Sequence, residues 1–191
     1  VAVTDISRRI QESGQALLRH WRHPIGPALG LADTNLLGDD SPVSELLDMG
    51  AGIDFFVAYG GGRGICGIAT RVQWRGMFTT ITWRNRSTTS ELSKACNAYL
   101  SQDRRIRPDW CVHLYEEQST HHLHGFVAAH ADDLARYYLN GHPASHRSNH
   151  EDETPFAAFD AADLRRAGIE VVDWWATDSH PNQLSLWGDV A

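Results

Sequence analysis

The chain has 191 residues, 42% of them hydrophobic, and 17 basic against 24 acidic side chains, for a formal net charge of −7. This length and apolar content suit one domain with a substantial core, residues 1–191, without a compositional break that demands two. The overall negative charge argues against nonspecific binding to nucleic acid or to acidic membranes. No apolar run approaches the length needed to cross a bilayer, and VAVTDISRR lacks the order of a secretory signal, so a cytoplasmic protein that does not bind membranes is expected. Cys66, Cys96 and Cys111 are odd in number, widely spaced and free of any Cys-x-x-Cys pair, which reads as reduced core thiols rather than a disulfide or zinc framework.

The first 22 residues read as a helix opened by Thr4 or Asp5, with Ile6, Ile10, Leu17, Leu18 and Trp21 as its apolar stripe and Pro24 as its stop. Residues 24–42 are rich in Pro, Gly and Asp and read as a long connection. Ser44 to Met49 reads as a short helix that brings Glu45 and Asp48 in ahead of three consecutive strands. The first of these, Ile53 to Tyr59, is apolar except for Asp54, a carboxylate that must be paired, protonated or bound to a cation there.

A glycine turn leads to the second strand, Ile65 to Trp74. Its alternation puts Cys66, Ile68, Thr70, Val72 and Trp74 on one face, and Gly67, Ala69, Arg71 and Gln73 on the other. Pairing through that turn brings Asp54 near Arg71 or Gln73. The third strand, Phe78 to Arg84, leads into Thr88-Thr89-Ser90-Glu91, a capping-box pattern opening a helix to about Gln102.

Further strands are expected over Trp110 to Glu116, Leu123 to Ala128 and Ile169 to Trp175. Helices are expected over Leu134 to Leu139, after Asp132-Asp133, and after Asp160 up to Gly168. Gly141 to Pro155 has almost no apolar content and reads as a loop. The whole is an α/β pattern, a mixed central sheet flanked by helices.

Positive charge is concentrated in one segment: residues 63–107 carry eight arginines and one lysine against two acids. Such a zone suits a local phosphate-binding surface built from Arg75, Arg84, Arg86, Arg104, Arg105 and Arg107, and it equally suits arginines that pair with the surplus acids elsewhere. Trp74 and Trp83 stand beside Arg75 and Arg84, where bases could stack.

A short acidic helix, an apolar strand with an Asp, a glycine hairpin, a polar-decorated strand, a third strand, a helix and a fourth strand follow one another from Ser44 to Glu117. This order resembles the core of the PD-(D/E)XK, or restriction-endonuclease-like, superfamily. The resemblance divides the chain into a core at 44–117, an N-terminal helix and connection at 1–43, and C-terminal strands and helices at 118–191.

It implies a Mg²⁺-dependent nuclease in which Asp54, with Glu45, binds the metal and activates water, Gln73 orients that water, and Arg71, with Arg75, Arg84 and Arg86, holds the phosphates. Where the family has Glu-x-Lys this chain has Arg71-Val72-Gln73, so the same resemblance also implies an inactive nucleic-acid-binding or partner-binding module with Asp54 and Arg71 as a buried ion pair. The partner expected is nucleic acid, DNA ahead of RNA, with a homodimer as a further assembly. A separate reading takes His113, His122 and His124, near Glu116, Glu117 and His121, as a histidine-based metal centre, or else as surface and strand-end histidines.

Overall fold

The structure, a computed structural model, describes residues 3–32, 36–37, 52–59, 64–74, 76–85, 90–101, 107–148 and 155–177. Glu45, Arg75, Arg86, Arg104 and Arg105, together with the expected short helix at Ser44 to Met49, lie outside the described residues. No helix among the described residues is long and apolar enough to cross a membrane.

In chain order, α1 is Val3–His20, followed by a π-helical turn Trp21–Ile25 and a single turn α2, Gly26–Ala28. The strands β1 (Leu36–Leu37), β2 (Phe55–Tyr59), β3 (Gly64–Gln73) and β4 (Thr80–Arg84) lead to α3, Glu91–Leu100. Then come β5 (Trp110–Glu116), β6 (Leu123–His130), α4 (Ala131–Leu139), β7 (Ser145–Ser148), β8 (Pro155–Asp160), α5 (Ala161–Arg166) and β9 (Val171–Trp175).

The α/β class with a mixed sheet is what forms. Six strands run in the order β1-β2-β3-β5-β6-β9, and only the β3–β5 pair is parallel. A parallel neighbour needs a long crossover, and here the crossover carries β4 and α3. The third expected strand, β4, therefore does not continue the hairpin of β2 and β3. It pairs instead with β8, in a second sheet ordered β4-β8-β7. The Tyr115 hydroxyl holds this sheet to the first by donating to the Thr80 carbonyl at 2.8 Å.

The alternation of β3 sorts its residues as the pattern predicts. Cys66, Ile68 and Val72 join Phe55, Val57, Val112, Leu114 and Phe126 beneath Ala16, Leu17, Trp21 and Ile25 of the N-terminal segment. The opposite face presents Cys111, Tyr115, Val127 and Ala129 to α3, α4, α5 and the second sheet, through Leu92, Leu134, Leu164, Ile81, Trp83 and Phe159. Covered on both sides, β5 is buried at every position. The three cysteines are free and buried, and burial pushes the Cys111 thiol up to about 12, which suits inert packing.

One local expectation is corrected. The stretch 141–155 contains β7, whose four residues are all exposed, because strand pairing with β8 needs backbone groups and not apolar side chains. The helix α3 opens where the capping pattern predicts, with Ser90 as its cap accepting from the Ser93 amide, while Thr88 and Thr89 lie outside the described residues. Glu91 is left with another task.

Candidate functional site

Asp54 stands one residue ahead of β2, half-buried. The register Phe55 to Ile68 sets it across from Ala69, and its Oδ2 accepts the Thr70 amide at 2.5 Å. An acid inside the sheet is thus stabilised by a backbone donor. Arg71 lies on the same face, but its guanidinium fork closes on Glu91 at the start of α3. Nη2 donates to both carboxylate oxygens at 2.8 Å, and Nη1 donates to Thr82 Oγ1 at 3.2 Å. The expected ion pair of Asp54 with Arg71 gives way to Arg71 with Glu91, because the crossover brings the first turn of α3 over the middle of β3.

Arg84 converges on the same acid, donating from Nε to Oε1 at 2.6 Å and from its backbone amide to Oε2 at 2.9 Å. Arg107 donates to Asp132 Oδ2 at 2.6 Å and to the Ala98 carbonyl at 3.1 Å. Arg84 and Arg107, read from the sequence as phosphate contacts, each hold a carboxylate of this chain. Gln73 closes β3, half-buried, in register with Tyr115.

Burial alone would raise the Glu91 pKa. The charges of Arg71 and Arg84, with the Arg84 hydrogen bonds, outweigh it and hold the carboxyl below its ordinary value of 4.5. A group depressed in the folded state contributes fully above its unfolded pKa and loses that contribution as pH falls through the folded one. Glu91→Gln is therefore expected to cost about 1–2 kcal/mol at pH 7, a modest figure because both arginines keep some water contact. Urea unfolding repeated from pH 7 down to pH 3 should show the gap between the two proteins closing below pH 4.5.

His113 is the odd member of this face. It pairs in register with Arg71, is 2% exposed, and stacks on Tyr115 with ring centroids 5.1 Å apart. Among the described residues neither ring nitrogen makes a well-formed hydrogen bond, although the Thr80 backbone interacts with the ring. Burial first, then the Arg71 charge, lowers its pKa to about 3, so the ring is neutral at pH 7.

His122 and His124 stand at the β5–β6 turn, with ring centroids 5.1 Å apart, and interact with Glu117. The histidine triad expected from the sequence is thereby divided between a buried sheet face and a hairpin tip. Among the described residues, no group of three or more His, Cys, Asp or Glu is placed to hold a metal ion. Glu45, the second Mg²⁺ ligand that the resemblance implies, lies outside the described residues, and the described carboxylate that shares the Asp54 face, Glu91, is committed to arginines, where a hard dication needs uncommitted oxygen ligands.

A second cluster lies at the other end of β5, on the α1 side. Glu116 has a side chain with no exposure at all, yet it is ionised. Arg19 donates to it from Nη2 at 2.6 Å and from Nε at 3.3 Å, His20 Nε2 lies 2.7 Å from Oε2, and His121 Nδ1 lies 3.1 Å from Oε1. Burial raises the carboxyl pKa, and these hydrogen bonds with the Arg19 charge lower it further than burial lifts it.

The sequence reading placed Glu116 with His113, but strand alternation puts residues three apart on opposite faces. The signal it missed is the Arg19-His20 pair in the last turn of α1, aimed at a strand-end acid. Compared with known proteins, the chain matches no family model, no curated protein and no solved structure.

Proposed function

We propose that this chain is a nucleic-acid-binding protein in which the Asp54 face is a framework rather than a magnesium-dependent nuclease centre. The observation that carries this reading is the double guanidinium clamp on Glu91. It makes the face of Asp54, Arg71, Glu91 and Arg84 electrically balanced, where two-carboxylate phosphodiester chemistry needs net negative charge to hold its metal. The basic segment 63–107, set in an otherwise acidic chain, supports the choice of a polyanionic partner.

Gel shifts of single-stranded and duplex DNA and RNA across a salt series test the binding. Affinity should fall steeply with salt, and a slope near zero removes the phosphate-contact argument. Incubation of plasmid DNA with Mg²⁺ tests the rest: neither the wild type nor Asp54→Ala should cleave it. Cleavage that Asp54→Ala abolishes would restore the nuclease reading.

A further inference from the structure

Glu116 organises more chemistry than a structural ion pair requires. A carboxylate can only accept hydrogen bonds, so the imidazole nitrogens facing it, His20 Nε2 and His121 Nδ1, carry the hydrogens. In the neutral rings, His20 Nδ1 and His121 Nε2 are then the basic nitrogens. One buried acid thus sets the tautomers of two histidines, as the acid of a catalytic triad does for one. Arg19 spends Nε and Nη2 on the same carboxylate and keeps Nη1 for another acceptor.

The cluster is reachable from solvent. Glu116 is sealed, but the side chains of His20, Arg19 and His121 are 16%, 34% and 55% exposed. The turn that presents His121 is built for it. Glu117 and His122 close the turn through a 2.9 Å backbone hydrogen bond, and His121 takes φ 57°, the left-handed region that histidine enters at a cost. Trp74, half-buried and packed on the α1 side of the sheet, directly follows the Gln73–Tyr115 pair that closes the β3–β5 ladder, where a base could stack on it.

We infer that Glu116, Arg19, His20 and His121 form a metal-independent acid–base centre that cleaves RNA phosphodiesters. Two imidazoles move protons but create no strong nucleophile from water. The reaction they suit is one whose nucleophile is already in place, and the 2′-hydroxyl of RNA is such a group. One imidazole removes the 2′-hydroxyl proton as O2′ attacks phosphorus, and the bond from phosphorus to O5′ breaks. The other, protonated, delivers its proton to the departing O5′. The products are a 2′,3′-cyclic phosphate and a 5′-hydroxyl, with no water, metal or oxidant consumed. Arg19 Nη1 holds a non-bridging oxygen as charge builds there. His20 and His121 are the catalytic residues, and Glu116 positions them. The inference rests on the proposed nucleic-acid binding only for delivery of the RNA.

The test incubates the full chain, in EDTA, with a fluorescent single-stranded RNA and with DNA of the same sequence, and runs gel shifts and thermal melts in parallel. RNA fragments ending in 2′,3′-cyclic phosphate are expected, with the DNA intact and a bell-shaped dependence of rate on pH. His20→Ala and His121→Asn, the latter chosen because Asn accepts a left-handed backbone, should each slow cleavage by at least ~10²-fold with RNA affinity unchanged, in variants whose thermal melts show them folded at the assay temperature. Glu116→Gln should lower the rate and distort the pH profile, and His146→Ala, an exposed histidine on β7, should keep the wild-type rate. RNA that is bound but stays intact overturns the inference and leaves the binding reading standing. Cleavage undiminished in both histidine variants also overturns it, since a trace contaminant then accounts for the activity. RNA that is not retarded at any salt concentration removes both.

Discussion

Arg19→Met is expected to lower the unfolding free energy at pH 7 by about 2–3 kcal/mol, read from urea titration. Methionine keeps the packing of the arginine stem but withdraws both donors and the charge from a carboxylate that has no access to water. Stripping one partner from a buried pair costs roughly 3–5 kcal/mol. The lower figure is expected here because His20 and His121 still reach the two oxygens.

The sign of the pH dependence follows from the depressed Glu116 carboxyl. The contribution of Arg19 is complete above the ordinary value of 4.5 and disappears as pH falls through the lower folded value, so wild type and variant should converge in acid. Adding Glu116→Gln to Arg19→Met should recover part of the loss at pH 7 by removing the stranded charge. A loss below about 0.5 kcal/mol in the single variant would mean that Glu116 is held by other means.

His113→Leu should change the pH dependence of stability more than its level. The folded protein holds this ring neutral down to about pH 3, whereas an unfolded histidine protonates near 6.5. Between those values the unfolded state binds more protons, so native stability falls as pH drops, by about 1.4 kcal/mol for each unit below 6.5. By pH 5 the wild type should have lost about 2 kcal/mol through this residue, before Glu91 and Glu116 begin to titrate. The leucine variant should lose almost none.

At pH 7.5 the variant should be as stable as wild type or more stable by about 1 kcal/mol, because two poorly satisfied ring nitrogens leave the core. Circular dichroism melts in urea at pH 7.5, 6 and 5 read both effects. Equal slopes for the two proteins would mean that His113 finds a proton or a partner in the folded state.

Much of the scaffold was legible in the chain. Trp110 to Glu116 forms the strand its apolar run predicts, residue for residue. The alternation of β3 assigned each side chain to the correct face, since period two follows from the pleat and needs no tertiary information. Asp160 accepts from the Ala162 and Asp163 amides, as an acid before a short helix should.

Failures came where pairing was remote in sequence. Thr80 pairs with Asp160 and Arg84 with Phe156, so β4 belongs to a sheet whose partner strand lies more than seventy residues on. β8 begins at a proline, and β7 has no buried face, which left both without an apolar period to read.

For the candidate sites the division is sharper. From the residues alone it follows that Asp54 belongs to an apolar segment leading into a strand pair, that Arg71 comes close to it in sequence register, and that cations crowd into 63–107, although the strand itself begins one residue after Asp54. Which acid meets which cation was decided by the tertiary structure. Arg71, Arg84 and Arg107 could each have served a phosphate or a carboxylate. The crossover that makes β3 and β5 parallel brought Glu91 and Asp132 within 2.8 Å of them.

Strand alternation alone turned Glu116 away from His113, and the fold set it against two adjacent residues nearly a hundred positions earlier, Arg19 and His20. A charge carries no period and its partner is chosen by proximity in space, so ion pairs become readable only after the strands have been ordered.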